Sequence, residues 1–306
     1  MSIEISLWNP CNNNCIMCTN PDDFKGGKLI SLKSIKKYLN REDIRKKKDV
    51  RSVYFSGGEP TMQPEFFRIT SYLQEKYPLA YINILTNGRR FFYKEFAKAC
   101  IDLGKVRFVI PIHGFDEKTH DEVTRAKGSF SQTIAGLKNI TQMRRIGQEV
   151  EIRIIITKLN YDKIGKILDF IHKEIPQADR SVIIFQEYEG QAIKNFENVK
   201  ISYSDFEQKF KDLEPYLKRG TEIKLYHFPL CVVPYEFWPY LWRTLRADEV
   251  TFLSQCKKCK VKEFCLGVHK NYLELLGGKE FSPIQESYSI KTSKNYHHPI
   301  VSIKKK

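Results

Sequence analysis

Ile3-Glu4-Ile5-Ser6-Leu7-Trp8-Asn9-Pro10-Cys11-Asn12-Asn13-Asn14-Cys15-Ile16-Met17-Cys18 is an alternating apolar–polar run that gives way to three closely spaced cysteines. The alternation has the period of a β-strand. In parallel α/β folds the functional loops follow the C-terminal ends of strands, so a thiolate-rich loop directly after the first strand is where chemistry is expected. Three soft thiolates can ligate three irons of a 4Fe–4S cluster. No fourth cysteine lies nearby, so one iron stays open to a small molecule. The three asparagines suit a sharp loop, because Asn tolerates left-handed backbone geometry. The competing readings are surface thiols, or zinc completed by a distant ligand, although zinc loops favour cysteine pairs.

Further strand-like runs lie at residues 53–56, 81–85, 106–112, 150–156 and 182–185, with helical patterns at 32–39, 65–77, 91–103, 130–146 and 161–175. Six β–α alternations predict a parallel sheet with right-handed crossovers, an α/β partial (β/α)6 TIM-type barrel. Special segments should then follow strands, and two do. Ser56-Gly57-Gly58-Glu59-Pro60 follows the second strand and Thr86-Asn87-Gly88 the third. Glycines let backbone approach a ligand, and a carboxylate beside them can accept from an ammonium.

The CX3CXΦC spacing, with Met17 as Φ, resembles the signature of the radical S-adenosylmethionine (SAM) superfamily. The resemblance implies that Cys11, Cys15 and Cys18 hold a 4Fe–4S cluster whose open iron chelates SAM. Reductive cleavage then gives a 5′-deoxyadenosyl radical that abstracts hydrogen from substrate. A reductant such as flavodoxin or ferredoxin is implied with it. Met17 is expected near the adenine, Glu59 of the Gly57-Gly58-Glu59-Pro60 segment on the SAM ammonium, and Thr86 and Asn87 along the SAM pocket. Strand four ends Ile110-Pro111-Ile112-His113, where many relatives carry Ser and Asp in place of Pro111 and His113. His113 is either a substrate-facing acid/base or a packed ring, Arg153 either reaches the SAM carboxylate or faces outward, and Glu187 is open in the same way. Cys100 reads as a small core residue.

Cys231 and the group Cys256-Lys257-Lys258-Cys259…Cys265 form a second set. Four thiolates saturate a 4Fe–4S cluster, and they fit structural zinc equally well on spacing alone. The CX2CX5C segment resembles the SPASM/twitch domains of peptide-modifying radical SAM enzymes, which implies one auxiliary cluster. Pro229–Pro234, this cysteine group and residues 185–192 together resemble the maturases of the His-Xaa-Ser peptide system, which implies a ribosomally made precursor peptide as substrate. The expected domains are a core barrel at 1–200, an auxiliary cluster domain at 201–286 and a basic, disordered tail at 287–306.

With 42% hydrophobic and 28% charged residues, the 306-residue chain has a globular composition. No signal-peptide pattern or membrane-length apolar run is present, so a cytoplasmic location is expected. The last 51 residues hold 11 Lys against 4 Glu, contributing +7 to a net +15. This is a solvated tail, or an attraction to nucleic acid or an acidic peptide. RNA modification is therefore the alternative chemistry. A zinc-stabilised nucleic-acid-binding protein is the non-enzymatic alternative, and it leaves the segments after strands two and three unexplained.

Overall fold

Several strands of the sheet, β1 and β5 most plainly, carry one apolar and one polar face, and that division builds the molecule. The computed structural model describes residues 1–21, 30–217 and 222–306. Strands β1 (Ser2–Trp8), β2 (Ser52–Gly57), β3 (Tyr81–Leu85), β4 (Val106–Pro111), β5 (Glu149–Ile156), β6 (Arg180–Phe185), β7 (Glu222–Tyr226) and β8 (Leu241–Trp242) pair in chain order, all parallel. The sheet thus has eight strands, not six. β8 is two residues long and sits among prolines, which explains why its pattern could not be read.

On β5, Val150, Ile152, Ile154 and Ile156 are fully buried beneath the helices, and Val53, Phe55, Ile82, Ile84 and Phe108 continue that layer. Each such side chain stabilises the fold by roughly 1.5–3 kcal/mol. The opposite face is charged. Arg107 binds Glu149 at 2.7 Å and Asn83 at 2.8 Å, while Arg180 binds Glu149 at 2.6 Å and Glu222 at 3.0 Å. Burial alone would raise Glu149, but the two guanidiniums outweigh it and hold its pKa near 2.

The helix Leu32–Leu39 begins where Ser31 accepts from Ser34 N–H and buries Ile35 and Leu39. The expected helix at 91–103 is a 3₁₀ turn, Arg89–Phe92, followed by Lys94–Ile101, and two short helices, Tyr203–Glu207 and Phe210–Leu217, follow β6. Glu117–Thr124 was not expected as a helix, because Val123 is its one aliphatic residue; Asp116 caps it by accepting from Thr119 N–H at 2.8 Å. The sheet continues past residue 200 into β7 and β8. The tail forms an antiparallel hairpin, β11 (Tyr288–Thr292) with β12 (Ile300–Lys305), in place of the expected disorder. Tyr288 packs on Trp238, and His298 stacks on Trp242 at 4.6 Å. A small pair, β9 (Val250–Thr251) with β10 (Val268–His269), flanks the second cysteine set.

Candidate active site

The loop after β1 is held from three sides. Asn14 and Ile16 N–H donate to Thr124 and Val123 carbonyls at 2.9 Å, and Cys18 C=O accepts from Gln191 N–H at 2.7 Å. Arg89 Nη1 donates to Asn13 Oδ1 at 2.8 Å and to Asn12 C=O. Cys11, Cys15 and Cys18 are half-buried. Burial, with added repulsion from Glu59 and Cys18, pushes the Cys11 thiol up to about 11, and burial together with Cys18 and Cys11 raises Cys15. Thiols as disfavoured in the ionised form as Cys11 and Cys15 need a cation to become thiolates, and iron would supply one. Asn13 N–H points at Cys11 Sγ at 3.4 Å, a bond that suits cluster-ligating sulfur. Among the described residues no three cysteine sulfurs lie within 4.8 Å of one another. Tetrahedral zinc, at 2.3 Å from each thiolate, requires sulfurs about 3.8 Å apart. Three thiolates with no fourth beside them among the described residues are the ligand set of a 4Fe–4S cluster with one open iron. Met17 is buried beside Val123 and Ala192.

The segment after β2 is clamped to this loop. Gly58 N–H donates to Trp8 C=O at 2.7 Å and Glu59 N–H to Pro10 C=O at 2.9 Å. A Cβ on Gly58 would come within 2.6 Å of the Pro10 oxygen and still closer to that of Asn9, so only glycine fits. Pro60 opens a short 3₁₀ turn.

Glu59 is enclosed by protein donors. Its side chain has no exposed surface. Oε1 accepts from Thr61 N–H (3.0 Å), Thr61 Oγ1 (2.5 Å) and Thr86 Oγ1 (2.6 Å), and Oε2 from Asn87 N–H (2.8 Å). Both oxygens expected to meet the SAM ammonium are engaged by protein donors. Glu59 ties the loop after β2 to Thr86 and Asn87 after β3. Burial raises its pKa, opposed by those four bonds. Asn87 Nδ2 in turn donates to Asn12 Oδ1 at 2.5 Å and approaches Cys11 Sγ at 3.9 Å.

His113 is the packed ring rather than the acid/base. It is 1% exposed and lies 5.6 Å from the ring of His120. Burial first, then His120, drives its pKa well below the usual histidine range. Arg153 is neither outward-facing nor free, because Nε is bonded to Glu151 Oε1 at 2.9 Å on the inner wall of the sheet. Cys100 is fully buried in the core. After β6, Glu187 meets residues the sequence did not single out. His227 Nδ1 lies 3.2 Å from Glu187 Oε1, and His269 Nε2 lies 3.5 Å from Glu189 Oε1. Burial, then repulsion from Glu189 and Glu249, raises Glu187 to about 7. Glu189, His227 and His269 are far apart in sequence, and the Tyr188-Glu189-Gly190 turn was the one signal available.

Cys231 follows β7 in a 3₁₀ turn, and its thiol is raised to about 12 by burial, then by Cys265, with Cys256 also contributing. Cys265 is raised by burial with added repulsion from Cys259 and Cys256, and accepts from Gly267 N–H at 3.4 Å. All four sulfurs therefore share one neighbourhood, next to the ends of β6 and β7. Among the described residues no helix is long and apolar enough to cross a membrane.

Residues 5–171 match the family model for the radical SAM superfamily. A probable GTP 3′,8-cyclase of Methanosarcina mazei is 24% identical over 99% of this chain and 89% of its own length. Two solved structures share the fold. SuiB of Streptococcus suis bound to precursor peptide SuiA has a TM-score of 0.56 at 17% identity, covering 73% of this chain and 48% of SuiB. Native anSMEcpe with bound AdoMet and Cp18Cys peptide has a TM-score of 0.56 at 18% identity, covering 73% of this chain and 63% of its own. The chain thus spans about half the length of SuiB. The match covers β1 to β5 together with the cysteine loop and the two segments clamped to it, and on that ground the chain belongs to the radical SAM superfamily.

Proposed function

We propose that this radical SAM enzyme modifies a ribosomally made precursor peptide, using one SAM-binding 4Fe–4S cluster on Cys11, Cys15 and Cys18 and one auxiliary cluster on Cys231, Cys256, Cys259 and Cys265. The gathering of four cysteines beside the strand ends carries the reading, because four thiolates close a cluster and leave none of its irons for substrate. When bound and reduced, the first cluster supplies the electron that cleaves SAM. The chain's own part is to orient it. Asn13 N–H bonds the Cys11 sulfur, and Glu59 fixes Thr86 and Asn87 against the loop. The shared fold with two structures holding peptides is consistent with the substrate class. The burial of His113 against His120 supports its reading as a packed ring over that of a proton carrier.

A purine nucleotide is the second reading, favoured by the alignment with the M. mazei protein along nearly the whole chain. RNA modification rests on basic charge alone, and the zinc-stabilised non-enzymatic reading falls with family membership. The deciding experiment incubates anaerobic protein with SAM and dithionite, adding either GTP or the short peptides encoded beside its gene. A peptide-dependent mass change with 5′-deoxyadenosine release is expected. GTP conversion with every peptide unaltered would overturn the peptide reading.

A further inference from the structure

Glu187, Glu189 and His269 each bring a ligand atom to within 4.8 Å of the others, although they come from two separate parts of the fold. Glu187 and Glu189 follow β6, whereas His269 lies on β10, four residues beyond Cys265. His227, at the end of β7, stands 3.2 Å from Glu187. We propose that these residues form a mononuclear site for a divalent first-row cation, separate from both cysteine groups.

Three observations carry it. First, the donors are mixed nitrogen and carboxylate oxygen, a set that takes zinc, manganese or ferrous iron in place of a cluster. Second, His269 is 6% exposed, and its Nδ1 is buried with no hydrogen-bond partner among the described residues. The nitrogen turned toward the carboxylates is Nε2, 3.5 Å from Glu189 Oε1, so the ring presents one donor atom to the same point as the two glutamates. Third, the negative charge lacks a committed counterion. The guanidiniums acting on Glu187 are engaged elsewhere, Arg246 by Glu249 at 2.9 Å and Asp248 at 3.2 Å, and Arg153 by Glu151 at 2.9 Å. His227 Nδ1 also faces Phe185 C=O at 3.2 Å. An Nδ1–H placed between that carbonyl and Glu187 Oε1 makes His227 the outer support that fixes the Glu187 carboxylate rather than a ligand itself.

The position gives the cation a use. The loop carrying the two glutamates bonds the first cysteine loop through Gln191 N–H to Cys18 C=O, and β10 adjoins the second cysteine set. A cation there, held by Glu187, Glu189 and His269, keeps coordination positions for an oxygen donor of the substrate. It would grip a carbonyl or phosphate oxygen by Lewis acidity, with no redox change and no bond broken at the metal. The site rests on neither substrate reading.

The test uses the reconstituted, oxidised holoprotein, treated with chelator to strip weak metals and then titrated with Mn²⁺. The EPR signal of free Mn²⁺ reads binding. One equivalent should bind wild type and be displaced by Zn²⁺. Glu189→Gln and His269→Gln should each weaken that site at least tenfold, while Glu189→Asp retains it, with iron content and SAM affinity unchanged in all three. Absence of a saturable site in wild type would overturn the proposal, as would equal Mn²⁺ affinity in Glu189→Gln and His269→Gln. A loss of manganese binding accompanied by loss of iron would also refute it, since that outcome makes these residues structural supports of the clusters.

Discussion

Replacing Glu59 by Gln separates a residue that holds SAM from one that holds the loops around it. In the fold Oε1 takes three donors and Oε2 takes Asn87 N–H at 2.8 Å, with no solvent reaching either. A glutamine that keeps its oxygen on the Thr61–Thr86 side must turn its NH₂ toward Asn87 N–H, donor against donor. One hydrogen bond to a charged group is lost, about 1.5–3 kcal/mol, and a buried donor is left unsatisfied at about 1–3 kcal/mol more. A desolvated carboxylate is also removed, which offsets part of this, so a net loss of about 2–4 kcal/mol is expected. With a urea slope of about 3 kcal/mol/M, the midpoint should fall by about 1 M without SAM present. Urea unfolding followed by circular dichroism measures it, and calorimetry gives SAM affinity on the same samples. An unchanged midpoint together with a tenfold loss of SAM affinity would refute the tie and return Glu59 to direct contact with the ammonium.

Cys11, Cys15 and Cys18 replaced together by Ala should abolish 5′-deoxyadenosine formation under dithionite while iron in the C-terminal set persists; undiminished cleavage contradicts the assignment. Gly58→Ala places a methyl against the Asn9 and Pro10 carbonyls, and should cost at least about 3 kcal/mol or bring down iron content at the first loop; normal stability and loading would show that the backbone there yields. Glu149 has a depressed folded pKa, about 2, so its contribution is complete above the unfolded carboxylate range and fades as pH falls from about 5 toward 2. Because solvent screens the pair, that contribution is taken as about 1–2 kcal/mol. Glu149→Gln should therefore be less stable than wild type at pH 7, with the gap closing below about pH 4.5; a gap independent of pH contradicts the ion-pair origin.

Most of the strand order was legible because β1, β2 and β5 alternate buried aliphatic with polar residues and β6 is a short continuous apolar run, and the cysteine loop stands directly after the first strand. Helix Glu117–Thr124 escaped because it buries Thr119, His120 and Thr124 beside Val123, which no apolar periodicity marks. The terminal hairpin escaped because its burial comes from Tyr288 and His298 stacking on Trp238 and Trp242, partners tens of residues away. Motif residues could be located but their duties could not. Glu59 and Arg153 carry charges that fit a ligand, and only the fold shows that Thr61, Thr86, Asn87 and Glu151 already hold them. The Glu187–Glu189–His227–His269 group needs β6, β7 and β10 side by side before it exists at all.

The bonds from Asn14 and Ile16 to residues 124 and 123, and from Gln191 to Cys18, involve no sulfur. The position of the first cysteine loop is thus set in part by ordinary peptide hydrogen bonds in which its sulfurs take no part. A substitution that shifts the Val123–Thr124 turn or the backbone at Gln191 would therefore displace the three sulfurs without touching a cysteine.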